Sequence, residues 1–140
     1  MILHIAKLDS GAKLPAYAHP GDAGMDFFAN EKVVIAPGHI ARVPTGIAIE
    51  IPEGYVGLFW DKSGLSTMHG IKVLGGVIDA GYRGELVLGV INLGTETYTF
   101  EKEHKVMQLL IQSIVRVELQ EVAELEETSR GTGGFGSTGK

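Results

Sequence analysis

Four short segments carry residues whose types and surroundings could perform chemistry. Asp26 follows a glycine inside the apolar stretch AGMDFFA, and Lys62 lies in WDKSGLS, where a strand ends and a helix is predicted to begin. Asp79 and Tyr82 flank the turn of GGVIDAGYRGELVLGVIN, and Gln108 lies inside an apolar strand in EHKVMQLL. A carboxylate can act as a general base, and lysine or glutamine side chains can donate hydrogen bonds to phosphate oxygens.

Each of these residues also has an ordinary structural interpretation. Asp26 could hold a turn, and Lys62 with Ser63 could simply begin a helix, with Ser63 as its N-cap. Asp79 could be the aspartate of a hairpin turn, and Gln108 could face solvent from a strand. Taken one at a time, none of the segments decides between structure and chemistry.

A fifth segment, RGTGGFGSTGK at residues 130–140, raises the question of phosphate binding. It fits most of a P-loop pattern, but that motif needs a serine or threonine after the lysine and a following helix. Its composition is typical of a mobile linker, which has no use for the large apolar ring of Phe135. Arg130 and Phe135 therefore suggest a charge clamp and a stacking ring on a flexible backbone.

The composition limits the class of protein. The 140 residues suit one domain, 44% of them are hydrophobic, and no cysteine is present for a disulfide or thiolate site. The five histidines match no metal-ligand spacing. The net charge of −5 argues against a nucleic-acid partner. The start MILHIAKLDS lacks signal-peptide features, and no apolar run approaches the ~20 residues that span a membrane. We therefore expect a cytoplasmic protein without nucleic-acid or membrane partners.

Strands are the predicted elements that position these residues. Short runs rich in Val, Ile and aromatic residues are separated by Gly, Pro, Asn and Asp, which predicts an all-β barrel or sandwich. The best helix candidate covers residues 63–70, and the last apolar run, KVMQLLIQSIVRVEL, extends the strand pattern to Leu119. The composition changes near Thr128. We expect one catalytic domain over residues 1–128 and a flexible arm over residues 129–140.

Read together, the five segments resemble the five motifs of the deoxyuridine triphosphatases (dUTPases) in order and spacing. The family's motifs are similar to AGxDLxA, PRSGL, GxIDxDYRG, RIAQL and RGxGGFGSTG, and the likeness runs from Ala23 to Lys140. The resemblance implies hydrolysis of dUTP to dUMP and pyrophosphate, with Mg²⁺ on the triphosphate. Such an enzyme limits uracil incorporation into DNA and supplies dUMP for dTMP synthesis.

The same resemblance implies an architecture and an assembly. Each subunit would be a distorted, jelly-roll-like β-barrel with one short helix and a flexible glycine-rich C-terminal arm. Three subunits would form a homotrimer with shared active sites. Motifs one, two and four would come from one subunit, motif three from a second, and the arm from the third.

The resemblance also implies three catalytic residues. Asp79 matches the general base that deprotonates water for in-line attack at the α-phosphorus. Gln108 matches the glutamine that binds phosphate or the attacking water, and Asp26 matches the aspartate that holds a metal-bound water.

The substrate-binding roles implied by the resemblance divide between base, sugar and phosphates. The backbone of a hairpin arm would read uracil, Tyr82 would pack beneath the deoxyribose, Arg130 would clamp the γ-phosphate, and Phe135 would stack on uracil. The full expected set is Lys62, Ser63, Gly64, Gly75, Gly76, Val77, Ile78, Asp79, Tyr82, Val87, Gln108, Arg130, Phe135, Gly136 and Ser137.

This chain departs from the family pattern in motifs two, three and four. Asp61 and Lys62 stand where Pro and Arg are usual, and Ala80 and Gly81 stand where acidic residues are usual. Lys105 and Met107 stand where Arg and Ala are usual. Lysine keeps the charge but loses the bidentate fork of arginine. Asp61 is expected to place a carboxylate beside the triphosphate site. We still expect an active enzyme, with altered affinity.

Three alternatives remain at this point. The dCTP deaminases share the fold but need a glutamate at the position of Gly89. A catalytically silent nucleotide-binding module would retain the motifs without turnover. A plain β-barrel with an unstructured tail would leave the five-part likeness unexplained.

Overall fold

The computed structural model describes residues 1–134, so Phe135, Gly136 and Ser137 lie outside the described residues. Eleven strands and one helix occur within residues 1–134. In chain order they are β1 (His4–Lys7), β2 (Met25–Phe28), β3 (Val33–Ile35), β4 (Ile40–Val43), β5 (Ile47–Glu50), β6 (Tyr55–Asp61), α1 (Ser63–His69), β7 (Ile71–Leu74), β8 (Val77–Ile78), β9 (Leu88–Asn92), β10 (Tyr98–Phe100) and β11 (Lys105–Ser113).

The strands form antiparallel sheets around a common core. One sheet has the order β2-β11-β6-β8, a second has the order β4-β9-β7, and β1-β5 and β10-β3 are two-stranded. The long strand β11 pairs with β2 on one side and, from Met107 to Ser113, with β6 on the other. The all-β class with one short helix is therefore confirmed, and closure of the sheets into a barrel stays a prediction.

Apolar side chains from these sheets fill the core. The rings of Phe27 on β2 and Phe59 on β6 meet edge to face, with centroids 5.0 Å apart and planes at 87°. In β9, alternate residues are buried, as the two-residue period of a strand requires. The largest fully buried apolar residues are Phe27, Phe100, Ile35, Ile47, Leu86, Leu88, Met107, Leu109, Val43, Val90 and Val106.

The predicted hairpin after the helix is built by β7 and β9, but its tip is not a simple turn. β7 and β9 pair from Ile71 opposite Asn92 to Leu74 opposite Gly89. The chain then crosses to the other large sheet, where β8 pairs with β6. Gly75 and Gly76 make this crossing with φ values of 75° and 107°, which residues with side chains rarely adopt.

Helix α1 begins at Ser63 rather than being capped by it. Lys62 occupies the N-cap position in an extended conformation, and no side chain caps the helix. The interpretation of Ser63 as an N-cap is therefore wrong. Gly70 ends the helix with a φ of 69°, and it fits because a β-carbon there would lie 2.4 Å from the backbone nitrogen of Gly94.

The last strand is shorter than the sequence pattern indicated. β11 ends at Ser113, not at Leu119, because its partner β6 begins at Tyr55, directly opposite Ser113. One further backbone bond continues this pairing, from Ile114 N to Gly54 O at 2.9 Å. Residues 114–134 contain no strand or helix, and residues 114–132 are exposed. No helix within residues 1–134 is long and apolar enough to cross a membrane.

Candidate active site

Asp26 is a buried carboxylate held by two lysines. It lies on β2, where all four residues are buried, and is only 4% exposed. Its Oδ1 accepts a hydrogen bond from Nζ of Lys62, and its Oδ2 lies 2.7 Å from Nζ of Lys105. Burial raises the pKa of Asp26, but the hydrogen bonds from Lys105 and Lys62 outweigh it and hold the pKa below its ordinary value.

Asp26 is not positioned as a direct metal ligand, because each of its carboxylate oxygens already accepts from an ammonium group. Each oxygen keeps a further lone pair to which a metal-bound water can donate, so that role of Asp26 stays a prediction. Across residues 1–134, no cluster of three His, Asp or Glu side chains could hold a metal ion. A metal ion carried by the substrate's own phosphates is compatible with these residues.

Gln108 is fixed beside a cleft. Its Nε2 donates a hydrogen bond to the main-chain oxygen of Asp61 at 2.9 Å. Gly24 leaves room for this side chain, because a β-carbon on Gly24 would lie 2.6 Å from Oε1 of Gln108. The cleft has a volume of about 400 Å³ and is lined by Asp22, Ala23, Gly24, Trp60, Asp61, Gln108 and Leu110.

A second cleft opens on the other side of Trp60. It measures about 250 Å³ and is lined by Leu58, Phe59, Trp60, Lys72, Val73, Gly75, Gly76 and Val77. Phe59 N donates to Gly76 O at 2.8 Å, which holds the glycine turn against β6. Of the residues expected to read a base, Gly75, Gly76 and Val77 line this cleft, whereas Ile78 and Val87 do not.

Trp60 is the residue that sequence reasoning missed. It is 56% exposed at the end of β6 and lines both clefts. Its position in the sequence was the available signal. The only tryptophan of the chain is the last residue of the apolar run YVGLFW and the first residue of the candidate segment WDKSGLS. An exposed aromatic ring between two clefts is a surface on which a planar base or sugar can pack.

Asp61 does not point a free carboxylate into either cleft. Its Oδ1 accepts a hydrogen bond from Val73 N at 2.7 Å, and its Oδ2 lies 2.8 Å from Nζ of Lys72. Lys62, Lys72 and Lys105 lie beside Asp26 and Asp61, and Asp22 lines the first cleft, so the charges of these six residues balance.

Asp79 and Tyr82 belong to one compact turn. Tyr82 N donates to Asp79 O at 3.0 Å, and the Tyr82 hydroxyl donates to Glu85 O at 2.9 Å. The ring lies so close to Gly84 that a β-carbon there would be 2.4 Å from the hydroxyl oxygen. Asp79 is exposed, and its carboxylate makes no ion pair within the described part of the chain.

Arg83 braces this turn from the side. Its guanidinium donates to Ala80 O at 2.6 Å, to Tyr82 O at 2.9 Å and to Glu50 Oε1 at 2.9 Å. The turn is thereby tied to the end of β5. It presents Asp79 and Tyr82 outward on a braced support.

The chain alone brings together only part of the expected site. Asp26 contacts Lys62, and Gln108 contacts Asp61, but Asp79 lines neither cleft. Ser63 and Gly64 are exposed at the start of α1. Arg130 is also exposed, and its Nε donates to Gly133 O at 3.0 Å within a local turn.

Comparisons with known proteins agree with the motif resemblance. The dUTPase family model matches residues 10–139. A deoxyuridine 5'-triphosphate nucleotidohydrolase from Clostridium tetani (strain Massachusetts / E88) is 49% identical over 140 residues, which cover 99% of this chain and 97% of that protein. The Staphylococcus bacteriophage 80alpha dUTPase solved with dUpNHpp has a TM-score of 0.93 and 34% identity, over 99% of both chains. A mutant dUTPase from phage phi11 of S. aureus, described with a structural Mg(II) ion, has a TM-score of 0.83 and 33% identity, over 91% of this chain and all of that one.

Proposed function

The chain belongs to the dUTPase family and is a dUTP diphosphatase, and we propose that it releases dUMP and pyrophosphate by in-line attack of water at the α-phosphorus. The observation that carries this proposal is the family match over residues 10–139, within which Asp79, Tyr82 and Gln108 occupy the matched motif positions. The reaction would limit uracil incorporation into DNA and supply dUMP for dTMP synthesis. A cytoplasmic location suits this role.

Asp79 is the proposed general base. Its carboxylate is exposed on a braced turn and is engaged in none of the ion pairs of residues 1–134, so it is available to accept a proton from water. A positioned base contributes about 10²–10⁴-fold to a rate. Gln108 would orient phosphate or water with its side-chain amide, which the Asp61 carbonyl already holds in place. Positioning of this kind supplies much of the remaining acceleration.

We assign Mg²⁺ to the substrate rather than to a protein cage. The commitment of Asp26 to Lys62 and Lys105 supports this assignment. On the triphosphate, the ion would neutralise charge on the phosphate oxygens. Within the chain, Asp26 would act by keeping the two lysines in place, with Lys62 turned toward phosphate beside Ser63 and Gly64 when nucleotide is bound.

The backbone of the β7–β8 turn is the proposed uracil reader. Gly75, Gly76 and Val77 line the cleft beside Trp60, and glycine lets a base approach the main chain closely. Ile78 and Val87 would complete the arm. The ring of Tyr82 would lie beneath the deoxyribose and leave no room for a 2′-hydroxyl.

A homotrimer with shared sites would complete the constellation. The separation of Asp79 from both clefts of its own chain supports this proposal, because a second subunit could supply the base. Three strongly exposed apolar residues of the last segment, Val115, Leu119 and Leu125, are 87–90% exposed and suit burial against another subunit. Light scattering should give three times the chain mass of 14.9 kDa.

The arm is proposed to close the site. Residues 129–140 would reach a neighbouring subunit, with Arg130 on the γ-phosphate, Phe135 on uracil, and Gly136 and Ser137 on other phosphate oxygens. The exposure of residues 114–132 supports an arm that leaves its own subunit. Closing such a segment over bound nucleotide excludes bulk water from the reaction.

The deaminase alternative has little support in the structure. A deaminase needs a glutamate at position 89, where this chain has Gly89. The position also leaves little room for a side chain, because a β-carbon there would lie 3.0 Å from the carbonyl oxygen of Leu74. A catalytically silent nucleotide-binding module would differ from the proposed enzyme only in the absence of turnover, so an activity measurement distinguishes the two.

Product analysis tests the proposed function. With Mg²⁺ and dUTP, dCTP, dTTP or UTP, we expect pyrophosphate and a monophosphate from dUTP selectively. Binding of dUTP without products would instead indicate the silent module, and ammonia release from dCTP would indicate a deaminase. Asp79→Asn should nearly abolish turnover and retain dUpNHpp binding; full activity in this variant would show that Asp79 is not the base.

A further inference from the structure

The side chain of Asp61 bridges the two largest sheets. β6 belongs to the sheet β2-β11-β6-β8, and β7 is one of the two edge strands of β4-β9-β7 within the described chain. β6 contacts the hairpin arm at successive points: through the β8 ladder at Gly57 and Leu58, then through Phe59 N to Gly76 O. Beyond that point no β6–β7 ladder forms within residues 1–134, and the Asp61 carboxylate makes the next connection to Val73.

The geometry identifies the carboxylate as a substitute for a missing strand partner. Val73 N donates to Oδ1 of Asp61 at 2.7 Å, and within residues 1–134 β7 has a strand partner, β9, on one side only. An amide nitrogen that has a charged acceptor forms a stronger bond than one with a neutral acceptor. Lys72 adds an ion pair at 2.8 Å, but its side chain is half-exposed, so this pair contributes less.

Asp61 also connects the two clefts through different atoms. Its main-chain oxygen accepts from Gln108, which lines the first cleft. Its side chain holds Val73, which lines the second cleft together with the glycine turn. Truncating the side chain therefore removes the connection to the second cleft and leaves the contact with Gln108 in place.

We propose that Asp61 is a positioning residue that sets substrate specificity by fixing β7 and the Gly75–Gly76 turn against β6. This inference rests on the proposed reading of uracil by the backbone of that turn. Backbone donors and acceptors discriminate between bases only when the main chain is held at a fixed position. Loss of the side-chain bond lets β7 move and weakens the preference for uracil over cytosine.

The test compares kcat and KM for dUTP and dCTP in wild-type protein and in Asp61 variants. Asp61→Ala should raise KM for dUTP about tenfold and lower the dUTP-over-dCTP ratio of kcat/KM about tenfold, with kcat changed far less. Asp61→Asn keeps an acceptor for Val73 N and should retain most of the wild-type ratio.

Two controls keep the result interpretable. Glu101→Ala breaks another lysine–carboxylate pair, that with Lys32 at 2.7 Å, which lies outside both clefts, and should leave both constants unchanged. Should Asp61→Ala fail to fold, Asp61→Ser serves instead, because the serine side chain is too short to reach Val73 N. This variant should show the same fall in the dUTP-over-dCTP ratio of kcat/KM.

The outcomes separate this inference from the proposed function. An unchanged ratio in a folded Asp61→Ala or Asp61→Ser variant would overturn the role of Asp61 while leaving dUTP hydrolysis intact. Equal losses in Asp61→Asn and Asp61→Ala would overturn the hydrogen-bond explanation. Absence of dUTP hydrolysis by the wild-type protein would instead overturn the proposed function and, with it, this inference.

Discussion

The side chain of Gln108 fills the space beside Gly24 so closely that a β-carbon on Gly24 would lie 2.6 Å from its Oε1 and 2.9 Å from its Cβ. Rotation of the glutamine cannot relieve the second contact, because the Cβ of Gln108 is fixed by strand β11. Gly24→Ala should therefore displace Gln108, lower kcat/KM about 10²-fold and cost about 1–3 kcal/mol of unfolding free energy. Steady-state kinetics and urea denaturation measure the two effects.

A double-mutant cycle tests whether Gly24 acts through Gln108. Gln108→Ala should reduce kcat/KM by itself, and adding Gly24→Ala should cause little further loss. Additive losses would show that Gly24 matters for another reason.

The ion-paired Asp26 should make stability depend on acidic pH. Its pKa is lower in the folded chain than the ordinary value of 3.8, so the unfolded chain binds more protons between these two values. The contribution of Asp26 is therefore fully present above pH 3.8 and is lost as pH falls through the folded pKa. Asp26→Asn should cost about 2 kcal/mol at neutral pH, and the difference from wild type should shrink at about pH 3.

Urea denaturation at several pH values measures this difference. Asp22→Asn provides the control, because Asp22 is exposed and accepts a single backbone bond from His19 that asparagine can also accept. Its stability should stay within about 0.5 kcal/mol of wild type. A constant difference between wild type and Asp26→Asn from neutral pH to about pH 3 would contradict the ion-pair account.

Gly84 should control sugar selectivity through Tyr82. A β-carbon on Gly84 would collide with the Tyr82 hydroxyl, so Gly84→Ala should move the ring from its position. We expect the dUTP-over-UTP ratio of kcat/KM to fall about tenfold. Tyr82→Phe removes only the hydroxyl bond to Glu85 and should keep the ratio. Loss of selectivity in Tyr82→Phe but not in Gly84→Ala would show that the hydroxyl, not the ring position, excludes ribose.

Removal of residues 130–140 should separate catalysis from folding. The deletion lies beyond β11, the last strand of residues 1–134, so the thermal transition should stay near that of the full chain. Turnover of dUTP should fall sharply, because the deletion removes Arg130, the proposed γ-phosphate clamp, and Phe135, the ring proposed to stack on uracil. Arg130→Ala should weaken activity less than the whole deletion. Full activity of the deleted chain would rule out a closing arm.

Much of the fold could be predicted because strand patterns are local. Alternation and turn residues indicated the strands of the all-β fold. The glycine-rich hairpin was predicted only in part, because β9 pairs with β7 while β8 pairs with β6. Two boundaries could not be predicted. The end of β11 is set by its partner's first residue, Tyr55, and the start of α1 depends on the extended backbone of Lys62. Both are properties of pairing and backbone geometry that residue types do not express.

The motif resemblance proposes the site residues, and their roles stay predictions. The motif positions named Asp79 and Gln108, but nothing in the sequence could show that Lys62 and Lys105 hold the same carboxylate. Asp61 was expected beside the triphosphate, yet its side chain accepts a hydrogen bond from the amide of Val73 on strand β7. Roles that depend on three-dimensional neighbours are not visible in residue order.

Hydrolysis of dUTP in water enriched in oxygen-18 tests the central claim most directly. In-line attack of water at the α-phosphorus should place the heavy oxygen in dUMP and leave pyrophosphate unlabelled, which mass spectrometry of both products detects. Heavy oxygen in pyrophosphate would show attack at the β-phosphorus, and absence of hydrolysis would show no dUTP diphosphatase activity. Either result would contradict the account.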